Sequence, residues 1–405
     1  MELYFPAVLD GATGTELQKR GYTGGGCAEA WLLEHPDAIL DVQRRYVAAG
    51  SDIIYTPTFG ANRVKLEANG IFNRVEEFNL RLAALSKEAA AGRALVAGDI
   101  APTGLFLAPL GTASFEELVE IYTEQAAALE KAGVDLFVIE TMMTLPEARA
   151  ALLAVRSVSA KPVLVSFTCD EHGRTLTGTD PAAALVVMQG MGADAFGLNC
   201  SVGPREILEQ MERLRPWAEI PLAAKPNAGL PRTVDGRTVY DCPPEEFAEC
   251  ARGFAENGVA LFGGCCGTDE GHIAALRAAL ADVVTAPPAP DFGGMIPCAS
   301  EKDAFLLDPA AEMPEPFACD AELADNIEDA QDEGAETVAV RVETLADAED
   351  FADAQYAVKV PLFIESSDAA ALEAALRAYQ GRAIYSGPLA DDVLVPLAEK
   401  YGLII

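Results

Sequence analysis

Short apolar runs recur along the first 284 residues. Each ends in a polar or glycine-rich turn, and a stretch of helical periodicity follows it. Candidate strands are Val8-Leu9-Asp10, Asp52-Ile53-Ile54-Tyr55, Leu95–Ala97, Leu136–Ile139, Val163–Phe167, Ala195–Leu198, Leu222–Ala224 and Ala260–Phe262. Several helices between them have readable ends. The spacing predicts a helix over Pro36–Ala49 stopped by Gly50, a capping box of Ser114 with Glu117 on a helix closed by Gly133, and a helix opened by Asp180-Pro181. Eight strand–helix units in this length predict a (β/α)₈ TIM barrel. The strands end at Asp10, Thr58, Asp99, Glu140, Thr168, Asn199–Cys200, Lys225–Asn227 and Cys265–Cys266, so polar groups gather at the end where such barrels keep their active sites. A doubly wound open sheet is the runner-up, but no glycine-rich dinucleotide loop supports it.

The pattern changes at Thr285. Residues 1–284 are read as the barrel and 285–316 as a linker rich in proline and glycine, beginning Ala286-Pro287-Pro288-Ala289-Pro290. Residues 317–405 are read as a small acidic α/β domain. Its predicted elements are Ala321–Glu333, Thr337–Val342, Pro361–Ile364, Ala369–Tyr379, Ala383–Tyr385 and Leu403-Ile404-Ile405.

Charge narrows the partners. The chain carries 63 Asp and Glu against 29 Lys and Arg, a formal −34. A surface this acidic repels phosphate, which argues against nucleic acid and anionic membranes. Residues 301–405 hold 24 acids against 6 Lys or Arg, a formal −18 that reads as a solvated surface or as a docking face for a basic partner. Met1-Glu2-Leu3-Tyr4-Phe5-Pro6 has no basic n-region leading into an apolar stretch, and no run of about 18 apolar residues occurs. A cytoplasmic protein is expected. Nine cysteines, an odd number in a long chain, point to metal or redox chemistry rather than a disulfide framework.

Three of those cysteines have distinctive settings. Leu261-Phe262-Gly263-Gly264-Cys265-Cys266-Gly267-Thr268 carries an apolar run into two adjacent thiols between glycines, and Phe196-Gly197-Leu198-Asn199-Cys200-Ser201 ends a strand in a third. Three thiolates at two strand ends suit Zn²⁺ with the fourth position open to water or substrate, as in a catalytic site. Buried structural thiols, a closed structural zinc site and an iron–sulfur cluster are the alternatives. For an amino-acid substrate, Asp10 and Glu140 at strand ends suit an ammonium. Gly11 and Ala12 N–H groups, with Thr58, suit a carboxylate. Asn199 reads as a hydrogen-bonding partner that orients the cysteine loop. Asn227 reads either as a turn asparagine or as a displaceable fourth ligand in the substrate-free state.

Asp10-Gly11-Ala12-Thr13-Gly14-Thr15-Glu16-Leu17, Gly197-Leu198-Asn199-Cys200-Ser201-Val202-Gly203-Pro204 and Gly263-Gly264-Cys265-Cys266-Gly267-Thr268 closely resemble the homocysteine-binding domain of cobalamin-dependent methionine synthase. That domain also occurs in betaine- and S-methylmethionine-dependent homocysteine methyltransferases. Thr56–Ala61, Gly98–Gly104 and Leu176–Pro181 add to a likeness that spans about residues 5–284. The resemblance implies a (β/α)₈ barrel, zinc on Cys200, Cys265 and Cys266, the homocysteine amino group on Asp10 and Glu140, and methyl transfer to the homocysteine thiol. Its nearest branch implies methylcobalamin on a separate corrinoid protein as donor. S-methylmethionine, betaine, another methylated donor or another thiol acceptor would suit the same chemistry, and a noncatalytic zinc scaffold is the alternative of another class. Asp170-Glu171-His172 superficially resembles the Asp-x-His-x-x-Gly cobalamin motif, but Thr175 stands where glycine is required, so cobalamin binding by this chain is rejected. Around Ala375–Arg382 the C-terminal region resembles the first half of a pterin-binding barrel. It is too short for eight strands, and Thr337-Val338-Ala339-Val340-Arg341 lacks the Asp-x-Asn of a pterin site, so a truncated or adapted docking domain is expected.

Overall fold

A computed structural model describes residues 5–108, 110–234, 237–285 and 288–405. The leader reading at residues 1–4 and the Ala286-Pro287 part of the expected linker lie outside these. The eight expected strands form one parallel sheet: β1 (Ala7–Val8), β2 (Ile53–Tyr55), β3 (Leu95–Ile100), β4 (Leu136–Met142), β5 (Val163–Phe167), β6 (Ala195–Asn199), β7 (Leu222–Lys225) and β8 (Val259–Phe262). β1 pairs with β8, and from β2 to β8 each strand pairs with the next in sequence, the order of a (β/α)₈ barrel with β1 and β2 meeting at the seam.

The β1–β2 seam closes largely through side chains. Asp52 N–H donates to Val8 O at 2.7 Å, and the Asp52 carboxylate accepts the Val8 N–H at 2.8 Å. Ser51 Oγ donates to Leu9 O at 3.1 Å, and Tyr55 N–H donates to Asp10 Oδ2 at 2.7 Å. Two short strands that cannot form a full ladder thus satisfy their backbone polar groups through acids and a hydroxyl. Alternate strand residues, including Leu9, Ile53, Tyr55, Val138, Leu164 and Leu261, pack inside as one buried cluster, so the barrel interior is filled rather than open.

Helix ends follow the local chemistry expected of them. Pro36–Ala49 stops at Gly50, whose φ of 110° only glycine adopts without strain. Ser114 Oγ accepts the Glu117 N–H, which is one half of the expected capping box, Gly133 closes that helix with φ 71°, and Asp180 caps Pro181–Gly190.

The chain folds as two compact units: residues 1–173, 194–215 and 220–288 form the first, and residues 174–193, 216–219 and 289–405 the second. The second unit holds four parallel strands in sequence order, β11 (Phe317–Ala318), β12 (Val338–Arg341), β13 (Leu362–Glu365) and β14 (Ile384–Ser386). The stretch read as linker contributes an antiparallel hairpin, β9 (Ile296–Ala299) with β10 (Ala304–Leu307). Pro297 and the flanking glycines hide this hairpin from pattern reading. Cys298 and Leu307 of the hairpin pack on Ala339, Phe363 and Ile384, which covers one face of the four-stranded sheet.

Asp52→Ala is expected to lower stability by about 2 kcal/mol in urea unfolding, because it leaves the buried Val8 N–H without an acceptor and frees Arg277, now 2.6 Å from Asp52 Oδ1.

Candidate functional site

At the carboxyl end of the strands, loops from β1, β2, β3, β4, β6, β7 and β8 line a cavity of about 310 Å³. Leu17, Tyr22, Leu32 and Phe59 form an apolar wall, while Asp10, Asp99, Glu140, Lys225, Cys200 and Cys265 bring ionisable groups into it. The sulfurs of Cys200, Cys265 and Cys266 all lie within 4.8 Å of one another, with Cys200 and Cys266 at 3.9 Å. The expected convergence of two strand ends is therefore present.

The exit of β7 holds the two cysteine loops. Cys200 N–H donates to Lys225 O at 3.1 Å and Cys265 N–H to Pro226 O at 2.7 Å. Ala228 N–H donates to Cys266 O at 2.9 Å, and Asn227 N–H donates to Val202 O at 3.0 Å. Cys200 and Ser201 have φ of 63° and 56°, a left-handed conformation that costs a non-glycine residue about 1 kcal/mol or more and persists only where its surroundings enforce it. Here it turns the first sulfur toward the other two. Asn199 Oδ1 accepts from Thr141 N–H at 3.0 Å and Ser166 Oγ at 2.8 Å, and its amide donates to Thr141 Oγ1 at 2.7 Å and reaches Cys265 Sγ at 4.0 Å.

The sulfurs share protons. Hydrogen bonds from Cys200 and then Cys265 hold the Cys266 thiol well below its ordinary value, while hydrogen bonding to Cys200 and Cys266 pushes Cys265 well above its own. Three sulfurs at this separation offer a soft donor set for one cation. The Asn227 carboxamide oxygen is buried without a hydrogen-bond partner, an orphaned acceptor on the segment that threads between both cysteine loops. These features fit a thiolate-bound metal.

The acids differ from one another. Asp10 is almost fully buried and already engaged: Oδ2 accepts the Tyr55 N–H, and Oδ1 accepts from Lys225 Nζ at 2.8 Å. Lys225 is itself buried, with its ammonium 3.7 Å from the centroid of the Tyr55 ring. Burial alone would lower its pKa, but Asp10, Tyr55 and Glu140 outweigh this and hold it above the ordinary lysine value. Asp99 is buried with Oδ1 unpartnered, and burial followed by the field of Glu140 raises its carboxyl well above the usual range. Burial also raises Glu140; Lys225 opposes the shift, Asp10 and Cys266 add to it, and the result is about 7.

The remaining expected contacts divide. Gly11 lines the cavity, and a Cβ there would meet the Tyr46 ring at 2.7 Å, so only glycine fits. Ala12 also lines it, but its N–H donates to Thr268 Oγ1 at 3.1 Å. Thr58 is fully buried behind the wall, its hydroxyl donating to Asp99 O at 2.7 Å. Asp99 and Lys225 are functional candidates to which sequence reasoning gave no role, although both stood among the polar strand ends.

A family profile described as homocysteine S-methyltransferase matches residues 7–280. The methionine synthase of Mycobacterium leprae is 35% identical over 292 residues, 68% of this chain and 24% of that protein. The methionine synthase of Mycobacterium tuberculosis is 34% identical over 294 residues, again 68% of this chain and 25% of that protein. The chain thus matches about a quarter of the length of these curated relatives. The metallated form of the homocysteine methyltransferase MmuM from Escherichia coli superposes with a TM-score of 0.59 at 25% identity, covering 67% of this chain and 95% of that one.

Two outcomes test the electrostatics. The Glu140 carboxylate band in infrared difference spectra is expected to titrate with a midpoint near 7 and to vanish in Glu140→Gln. A cationic ligand favours the ionised carboxylate, so its affinity should rise as pH rises through 7 and the midpoint should fall when it binds. Lys225→Met is expected to lose about 3–5 kcal/mol of stability in urea unfolding because it strands the buried Asp10 charge, and Asp10→Asn in the same chain should recover much of that.

Proposed function

Because the chain belongs to the homocysteine S-methyltransferase family, we propose that it transfers a methyl group to the thiol of L-homocysteine, forming methionine, with Zn²⁺ held by Cys200, Cys265 and Cys266. The observation that carries this reading is the sulfur tripod set in the wall of a cavity that also presents acids suited to an amino acid's ammonium. An alkyl thiol has a pKa near ~8.5, so little thiolate exists at neutral pH. Held by Cys200, Cys265 and Cys266, zinc would supply the Lewis acidity that lowers the pKa of a bound thiol while leaving its sulfur electron-rich.

The chain's own residues do the rest. Asn199 orients the Cys265 loop and ties it to β4 through Thr141. Glu140 and Asp99 face the cavity with raised proton affinities and offer carboxylates to the substrate ammonium. Asp10, expected as an ammonium acceptor, serves in the reading we favour to fix Lys225, which keeps the pocket from carrying only negative charge. Gly11 is left as the backbone donor for the carboxylate. The orphaned Asn227 oxygen supports its assignment as the fourth ligand in the substrate-free state. The preferred donor is methylcobalamin carried by a separate corrinoid protein.

Purified protein incubated with homocysteine and methylcobalamin is expected to yield methionine, with S-methylmethionine and betaine as parallel donor arms. Absence of methionine in every arm overturns the reading. Cys265→Ser or Cys266→Ser should remove most bound zinc by elemental analysis and lower kcat/KM by about 100-fold or more, since several kcal/mol of charge stabilisation would be lost.

A further inference from the structure

Among its described lining residues the cavity sets four carboxylates, on Asp10, Glu29, Asp99 and Glu140, against a single cation, Lys225. An amino-acid thiol brings a carboxylate of its own into this field. A buried anion is tolerable only where a hydrogen-bond donor or an opposite charge meets it. Where the one cation stands therefore bears on which acceptors the cavity takes.

Lys225 ends β7 and is the only buried lysine among the described residues. Its stem runs past Gly263, where a Cβ would meet Lys225 Cγ at 3.0 Å, Leu9 Cβ at 2.8 Å and Asp10 O at 2.9 Å. Glycine at that position leaves the lysine its path. An ammonium carries three N–H donors. One donates to Asp10 Oδ1 at 2.8 Å, and the Tyr55 ring, with its centroid 3.7 Å away, covers a second side of the ammonium. Asp10 is the only carboxylate among the described residues that pairs with it. The third N–H has no acceptor among the described residues. Lys225 also stands beside the sulfurs, because its carbonyl accepts the Cys200 N–H and its place in the sheet is opposite Asn199.

We propose that Lys225 is a specificity-determining residue that selects acceptors bearing a carboxylate, donating its remaining N–H to that group while Asp10 fixes the ammonium. The proposal rests on the reading of the chain as a homocysteine methyltransferase and names the feature of the acceptor that this cavity recognises. Asp10 is engaged by the lysine, so a substrate ammonium is left to Glu140 and Asp99, and the two charged ends of an amino acid meet different side chains. A hydrogen bond between two charged groups is worth about 10–100-fold in affinity. A thiol without the carboxylate leaves the lysine N–H unpaired.

The test is calorimetric titration of zinc-loaded protein with L-homocysteine and with 3-aminopropanethiol, which is homocysteine without its carboxylate. Wild type is expected to bind homocysteine about 10–100-fold more tightly than the aminothiol. Asp10→Asn/Lys225→Met, which strands no charge of this pair, is expected to lose that preference. A second reading needs no variant: in protein isotope-labelled at the lysine Nζ, the ammonium protected from exchange is that of Lys225. Its resonance is expected to move with homocysteine and to stay with the aminothiol, and it decides alone if the double variant does not fold. Equal affinity of the wild type for both thiols overturns the proposal. So does an unmoved resonance, or a preference that survives in the double variant, because backbone donors such as Gly11 would then hold the carboxylate. Wild type that binds neither thiol overturns the proposal and the homocysteine reading together. Preference and a moving resonance in the wild type, with no methionine formed, leave Lys225 assigned and remove only the proposed reaction.

Discussion

The carboxyl end of this barrel depends on four backbone hydrogen bonds made by or to residues 225–228. β6 and β8 are not neighbours; β7 lies between them. Sulfur from both can reach one point only if the loops leaving them lean toward each other across the exit of β7. Lys225 O and Pro226 O accept from Cys200 and Cys265, while Asn227 and Ala228 donate to Val202 and Cys266. Each bond is modest by itself, about 1 kcal/mol net. Together they hold Cys200 and Ser201 in a backbone conformation that neither residue would adopt alone. The tripod is thus a property of three consecutive strand exits.

The second constraint is charge. A cavity bearing four carboxylates and three thiols would resist ionisation of all of them together, and burial, with the field of the neighbouring acids added to it, raises the proton affinities of Glu140 and Asp99. Lys225 is the one cation among the described lining residues. Its burial is tolerable because Asp10 and the Tyr55 ring surround the ammonium with an ion pair and a cation–π contact. Asp10 therefore acts twice, receiving the Tyr55 N–H at the β1–β2 seam and holding the lysine. Barrel closure and cavity electrostatics share one carboxylate.

The second unit is more complete than its sequence suggested. Four parallel strands could have left one apolar face bare, but the hairpin hidden in the supposed linker covers it with Cys298 and Leu307, joined by Phe305 and Met313. No helix among the described residues is long and apolar enough to cross a membrane.

Local pattern was enough to establish the order of eight strands and their helices, the glycine stops at Gly50 and Gly133, the caps at Ser114 and Asp180, and the gathering of polar residues at strand ends. Each of these follows from periodicity and turn chemistry within a few residues. The three cysteines were legible for the same reason, since each ends an apolar run. Which polar ends act on one another emerged only on folding. The Asp10–Lys225 pair joins residues 215 apart in sequence, and the Ala12 N–H is taken by Thr268, 256 residues away. Thr58 turned out to face Asp99 behind the wall, and Tyr240 came to lie on Gly267. Such pairings depend on which strand ends the closed barrel makes adjacent, and local periodicity does not carry that information.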